Sequence, residues 1–555
     1  MVQRLEKGRE CLRHLTDRGL ESIWKEYHLS TTYDAELGRL ETLVVRNSTW
    51  LALGIVVVAF GIRLSYAQLC YLNSDEAVCF NVARLNSWSG AYEASRSMMH
   101  PPLFIMVLHA ILFFGRTELI LRMPSLIGGT AALWLTFLWI RRCLGEIPGL
   151  VGLGFMAISP AAISASTEVR QYGILLFFIC GSLYATERAL SERSTVWAII
   201  QGLFLIAAIL THYITVVVIA SLGLYVFARS FSHGVPRRIL FTITMSYLVL
   251  GVALGWLYLN LVRGSATFDS ASTGYLQPYF FAPGRETVLG FVWRALHETF
   301  YYVVRIHKST YFFMLVFLSG IAALLTRPTK APKFFALMVL SPFVVGFAAA
   351  IFRVFPFAGS RHQIYLLPFF AAGGAAAFCW PKRGRSVILL LLAVAVAPFW
   401  ASRTTLDNDR QAQPKGNMTA AIEYIVRVVP KGARLFVDGE TFNLLAYYLA
   451  GNDTTLDRWP GPQWNTEQQM GDYRVVVVVP GKESVIHFRD DEALDQVNES
   501  ARVLEVSPID PLWVVSVSWF QKSLASRIPT GGDLDAKEFG RISVIKIAPR
   551  PLQTF

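Results

Sequence analysis

The residues most able to do chemistry come early. Asp75 and Glu76 are adjacent carboxylates just past the first long apolar run, and His100-Pro101-Pro102 follows downstream. A carboxylate placed there can take the proton of an incoming hydroxyl or amine, with a second acid beside it as partner. Read alone, the same pair also fits an ordinary solvated loop. Further ionisable residues fall at the ends of later apolar runs: Glu168, Arg170, His212, His297, Glu298, Arg305, Arg361 and His362. Charges are costly inside a bilayer, and their collection at one set of span ends marks a polar cavity opening on one side. Arginines in such a ring suit a phosphate, which a guanidinium can grip in bidentate fashion. Plainer readings stay open: Arg361 and His362 as interfacial anchors, and His212 beside Tyr213 as an interfacial histidine. No HExxH or CxxC spacing occurs. A divalent metal is left open at His297-Glu298, and no metal ligand set or cofactor is assigned.

Composition says what must hold these residues. Of 555 residues, 54% are hydrophobic, and the mean hydropathy is +0.43. A soluble globular chain rarely reaches that value, whereas a polytopic membrane protein does. The net charge of +12 reflects Lys and Arg in cytoplasmic loops, and with no basic-aromatic module present a nucleic-acid partner is set aside. The cysteines are too scattered for a disulfide framework, although Cys70 and Cys79 flank Asp75 as a candidate pair.

Residues 1–47 are polar and mixed in charge, and read as a cytoplasmic, helical arm. Residues 48–402 read as a transmembrane domain, with a first outer loop at 69–102 and roughly 11 to 13 spans. Arg63, near the outer end of the first span, either snorkels or faces the site. The run 103–115 is too short to cross unaided, 263–308 reads as a long polar and aromatic outer loop, and 387–400 as the last crossing. Basic turns fall on one side at nearly every return, which puts the N-terminus inside and the end of the chain outside. Residues 403–555 alternate helical and strand patterns, with a continuous β-branched run near 474–479. A small extracytoplasmic α/β domain is expected there, on the same side as Asp75.

In their order and spacing the short motifs resemble a known family. Asp75-Glu76, His100-Pro101-Pro102-Leu103, Arg122-Met123-Pro124-Ser125, Ser159-Pro160, Glu168-Val169-Arg170-Gln171-Tyr172 and Thr211-His212-Tyr213 together resemble the GT-C membrane glycosyltransferases. The branch is that of protein O-mannosyltransferases and lipid A aminoarabinose transferases. The resemblance implies an inverting transferase with a polyprenyl-phosphate sugar as donor and a lipid, glycan or protein as acceptor. It implies Asp75 as the catalytic acidic residue of the first loop, with Glu76 completing the pair. His100, Glu168, Arg170, Tyr172, His212, Arg361 and His362 then become the substrate-binding set. There are departures: many aminoarabinose transferases carry an acid and a lysine where this chain has His100-Pro101, and an aspartate at Tyr172. The inserted luminal domain usual in the protein mannosyltransferases is absent. The expectation is an integral membrane glycosyltransferase with its site on the extracytoplasmic face. The alternative is a transporter or flippase for a lipid-linked saccharide.

Overall fold

The first apolar run does what its length demands. After a short α1 (Arg39–Arg46), the 22 residues Ser48–Leu69 form one helix, α2. At 1.5 Å per residue it is about 33 Å long, enough to cross a hydrocarbon core of about 30 Å. Trp50, Leu51, Leu53, Val57 and Val58 lie exposed along it, an arrangement costly in water and natural in lipid. The computed structural model describes residues 39–96, 98, 100–263, 276–305, 307–380, 414–450, 463–478, 488, 492–507, 510–518, 523–526 and 534–548.

Next come α3 (Ser74–Ala83), α4 (Trp88–Ser95), α5 (Leu103–Ile111), α6 (Glu118–Leu144), α7 (Glu146–Ile158), α8 (Pro160–Thr167) and α9 (Tyr172–Ser191). They are followed by α10 (Thr195–Ile209), α11 (Thr215–His233), α12 (Arg237–Leu257), α13 (Val288–Val304), α14 (His307–Leu325), α15 (Lys330–Ile351) and α16 (Leu367–Ala376). Among the described residues, six helices are long and apolar enough to span a membrane, or eight if each of two bent pairs counts as one. Leu103–Phe114, Thr195–Ile209 and Thr215–Phe231 are shorter apolar helices. By this measure the count falls below the roughly 11 to 13 expected from hydropathy, because two expected crossings stand as short apolar helices and two more stand within bent pairs. The crossing expected at 387–400 lies outside the described residues, as does most of the N-terminal arm. The chain is an integral membrane protein.

The chain divides into two units. One comprises Met1–Gly61, Gly128–Ala165 and Tyr172–Ala401. Its core runs through α9, α14, α15 and α16, and every residue of α16 is buried, so that helix is apolar on all sides. A Cβ on Gly320 of α14 would meet the carbonyl oxygen of Gly373 at 1.9 Å. Only glycine lets those two backbones approach so closely. The polar loop expected over 263–308 contains α13, whose Phe291, Ala295 and Thr299 are buried at a spacing of four. Arg294, His297 and Glu298 on the same helix masked its apolar stripe. The span expected over 150–164 is broken at Ser159-Pro160, where α7 and α8 meet at 61°. Proline cannot supply the amide that a straight helix needs there.

The other unit comprises Ile62–Ile127, Ser166–Gln171 and Ser402–Phe555. Its C-terminal part holds α17 (Lys415–Val428), β1 (Arg434–Val437), α18 (Gly439–Tyr448), β2 (Glu467–Met470), β3 (Tyr473–Val477), α19 (Ala493–Val503), β4 (Leu512–Val517), β5 (Leu534–Phe539) and β6 (Ile542–Ile547). The strands form one sheet in the order β2-β3-β1-β4-β6-β5. β3, β1 and β4 run parallel, with Val437 opposite Val477 and Val515; the outer pairs are antiparallel. Alternation sorts the two faces. Leu435 and Val437 pack with Ile425 of α17 and Phe442 and Leu445 of α18, while Phe436 packs with Val497 of α19. The α/β domain expected from the strand patterns is therefore present. α19 and the edge strands β2 and β5 add to it; EQQM and LDAKEF are too polar to announce themselves as strands. Cys70 and Cys79, the candidate disulfide pair, are buried and not joined by a disulfide. Arg63 is wholly buried, so it faces protein rather than snorkelling.

Candidate active site

The turn that leaves α2 is built to present a helix N-terminus. Asn73 caps α3 in a capping box: its side chain accepts from Glu76 N, and Glu76 Oε2 accepts from Asn73 N, both at 2.9 Å. This puts Asp75 and Glu76 in the first turn of α3, where the helix dipole favours negative charge. The two neighbours then part company.

Glu76 is 1% exposed. Arg122 of α6 donates to it twice, Nε to Oε1 at 2.8 Å and an Nη to Oε2 at 2.9 Å. Val169 N donates to Oε1 at 2.8 Å. Counting Asn73, the carboxylate accepts four hydrogen bonds from three elements of the unit. Arg122 also donates to the carbonyls of Ala67, Cys70 and Tyr71, closing the open end of α2. Its planar fork can satisfy all of these at once; a lysine could not.

Asp75 is 30% exposed at its side chain and meets Arg170 at 2.7 Å, Oδ2 to Nη1. Arg170 is itself buried, and Ser125 Oγ donates to its carbonyl at 2.5 Å. The stretch 166–171 is thus tied to α3 through Glu76 and to α6 through Ser125. What this leaves is an accessible carboxylate steered by a buried guanidinium. Glu168 and His100 are partly exposed in the same unit, His100 lying just ahead of Pro102, which precedes α5.

A third acid escaped the sequence reading. Glu440 stands in the first turn of α18, straight after β1. Its Oε2 is buried and, among the described residues, accepts no hydrogen bond. Burial, then the charge of Asp438, then that of Asp75, push its pKa up to about 9, so it is a neutral carboxyl near pH 7. The available signal was topological: the carboxyl ends of parallel strands are where open α/β sheets place functional groups.

In the other unit, Tyr172 begins α9 and is buried, with its ring centroid 5.8 Å from that of His212. His212 is 6.1 Å from His362, and Phe355 lies about equally far from both imidazoles, at 6.5 and 6.4 Å. His212 Nδ1 accepts from Ile214 N at 3.1 Å, so its protonated nitrogen in the neutral form is Nε2. Arg361, half-buried, opens the short helical turn Arg361–Leu366 that carries His362. The expected residues therefore gather as Asp75, Glu76 and Arg170 in one unit and Tyr172, His212 and His362 in the other. His297 and Glu298 stand on α13, His297 against Tyr311 at 5.1 Å and Glu298 beside Arg294 at 3.6 Å. Among the described residues, no three His, Cys, Asp or Glu side chains come together as a metal-binding group.

Residues 99–258 match a family model described as dolichyl-phosphate-mannose-protein mannosyltransferase. That stretch resembles a sugar transferase. It takes in His100, Glu168, Arg170, Tyr172 and His212, so the resemblance read from short motifs is met by a match over a continuous segment. No curated protein matches the chain. Among solved structures, it is similar to ArnT from Cupriavidus metallidurans bound to undecaprenyl phosphate, at 14% identity and a TM-score of 0.49, covering 90% of this chain and 97% of that one. It is also similar to the oligosaccharyltransferase AglB from Archaeoglobus fulgidus in complex with an inhibitory peptide and a dolichol-phosphate, at 12% identity and a TM-score of 0.49, covering 85% and 70%.

Proposed function

We propose that the chain is an inverting GT-C glycosyltransferase that moves a sugar from a polyprenyl-phosphate donor to an acceptor on the extracytoplasmic face. The reading is carried by the Asp75–Arg170 pair at 2.7 Å, the accessible carboxylate of the first turn of α3 held by a buried cation. Asp75 takes the proton of an acceptor hydroxyl or amine as its oxygen or nitrogen bonds to the anomeric carbon. The bond from that carbon to the phosphate oxygen breaks, and the electron pair leaves on the polyprenyl phosphate. Attack from the face opposite the leaving group inverts the anomeric centre. A phosphate leaving group needs no proton, so one base suffices.

Glu76 serves differently. With both oxygens saturated by donors it is proposed to fix α3 rather than exchange protons. Arg170 orients Asp75. Arg361 is proposed to meet the donor phosphate, with Tyr172, His212 and His362 lining the donor's path and His100 and Glu168 the wall near the acceptor. The donor class is supported by the matched family's own name, which specifies a dolichyl-phosphate sugar. The test is mass spectrometry of envelope lipids, glycans and proteins from cells with and without the chain, and with Asp75→Asn in its place. A glycosyl mass lost in both the deletion and the variant supports the reading. An unchanged product set in the deletion refutes it.

A further inference from the structure

Helix α3 is held from both ends by α18. At its entry, Leu72 N–H donates to the Tyr448 hydroxyl at 3.0 Å, and that hydroxyl donates in turn to Glu118 Oε1. Lys415 Nζ meets the other oxygen of Glu118 at 2.7 Å. Further along, Asn81 Nδ2 donates to the carbonyl of Asn443 at 3.1 Å. The ring of Phe80 stands edge-on to that of Tyr447, centroids 4.9 Å apart, and Tyr447 donates to the carbonyl of Arg116 at 3.0 Å. All of these residues belong to the same unit.

We propose that Tyr448 is a positioning residue for Asp75, and that α18 makes the C-terminal sheet domain a working part of the active site. The inference rests on the reading of Asp75 as the base.

The direction of the relay is set by chemistry. A phenol has one proton, and a carboxylate beside it claims that proton, so a lone pair of the oxygen is left for the Leu72 amide. Burial and the neighbouring Glu118 hold the Tyr448 proton on, raising its pKa well above the usual phenol value. Glu118 and Arg122 lie four residues apart in the first turns of α6, on one face. Arg122 grips the turn by its carbonyls at Ala67, Cys70 and Tyr71. Tyr448 grips the same turn by its next amide. The peptide unit between Tyr71 and Leu72 is thus clamped on both sides, one residue ahead of the Asn73 cap and three ahead of Asp75. Removing the hydroxyl leaves a shielded amide and a carboxylate oxygen each short of a partner, and the turn must shift to recover them. A displacement of about 1 Å in a catalytic group can cost on the order of a hundred-fold in rate.

The experiment compares Tyr448→Phe, Asp75→Asn and the double variant of the full-length chain. Amide hydrogen exchange is followed over 71–79 in the purified protein, and glycosyl product formation in cells lacking any other copy. Tyr448→Phe is expected to speed exchange over 71–79 and to slow product formation roughly ten- to hundred-fold. Binding of undecaprenyl phosphate should stay unchanged. In the Asp75→Asn background the same substitution should add no further loss, because a residue that acts through the base has nothing left to act on. Unchanged exchange over 71–79 overturns the proposal. So does an equal fractional loss in both backgrounds, since Tyr448 would then act elsewhere. If exchange quickens but Asp75→Asn makes product at the normal rate, it is the base reading that has failed, and the positioning role falls with it. Should Tyr448→Phe not accumulate, Glu118→Gln keeps an oxygen for the tyrosine but loses the charge, and should move both readouts in the same direction by less.

Discussion

Replacing Glu76 with glutamine should unfold the site rather than slow its chemistry. The side chain keeps its size, but an amide has one acceptor oxygen where the carboxylate has two. Arg122, Asn73 and Val169 all approach as donors, so the new NH₂ must face at least one N–H. The guanidinium also loses its counter-charge where both side chains are 2% exposed. Hydrogen bonds to a charged group contribute about 1.5–3 kcal/mol each, and four such bonds set a ceiling that relaxation will not reach. Breaking a buried pair from one side costs about 3–5 kcal/mol, which is the expected loss. Against a total stability of about 5–15 kcal/mol that is a large fraction. At about 2–4 °C per kcal/mol for a unit of roughly 200 residues, the size of the one that holds the pair, it should lower that unit's thermal midpoint by on the order of 10 °C. The buried thiols Cys70 and Cys79 provide the assay: in detergent-solubilised protein, a thiol-reactive dye should label them at correspondingly lower temperature. A midpoint within about 2 °C of the parent, together with a collapse in transfer, would refute this and return Glu76 to the chemistry.

Asp75→Asn should do the converse: asparagine still accepts from Arg170 and Asp75 is partly exposed, so stability should fall by less than in Glu76→Gln, while transfer falls by roughly 10²–10⁴-fold, read by product mass spectrometry. Undecaprenyl phosphate should still bind that variant, as a titration with the lipid would show. Arg361→Lys should weaken lipid-phosphate binding, because a point charge loses the bidentate geometry; unchanged affinity in the same titration makes Arg361 an interfacial anchor. Glu440 should leave a pH signature: its folded pKa of about 9 lies above the ordinary 4.5, so the folded chain keeps a proton that the unfolded chain releases between those values. Stability contributed by this group therefore falls as pH rises through that window, by up to about 1.4 kcal/mol per pH unit. Glu440→Gln should flatten unfolding midpoints measured across that range, and an unaltered slope would show that Glu440 does not hold the proton.

Much of the fold was legible because hydrophobic length and alternation report burial directly. Ser48–Leu69 reads as a span and Arg434–Val437 as a strand for that reason. Helix α13 was not legible, since Arg294, His297 and Glu298 interrupt its apolar stripe and the flanking residues are polar. The candidate site was half legible. Two adjacent acids beside a span are visible in the sequence, but the difference between them is not: it depends on Arg122, 46 residues on from Glu76, and on the amide of Val169. Glu440 was invisible for a related reason, because an acid after a strand looks like any helix cap until the strand is known to run parallel.

The long reach of the contacts around α3 also has a consequence for biosynthesis. Leu72 and Tyr448 are 376 residues apart in the chain, and Asn81 and Asn443 are 362 apart. At a synthesis rate of about 5–20 residues per second, roughly 20–75 s pass between the emergence of the helix and that of the residues that clamp it. Through that interval the nascent chain can thread its apolar helices into the bilayer while the carboxylate at its mouth lacks its final bearing. A ribosome that stops short of α18 leaves a chain that occupies the membrane without a finished turn ahead of α3, so on the proposed reading unfinished copies should be inert rather than errant.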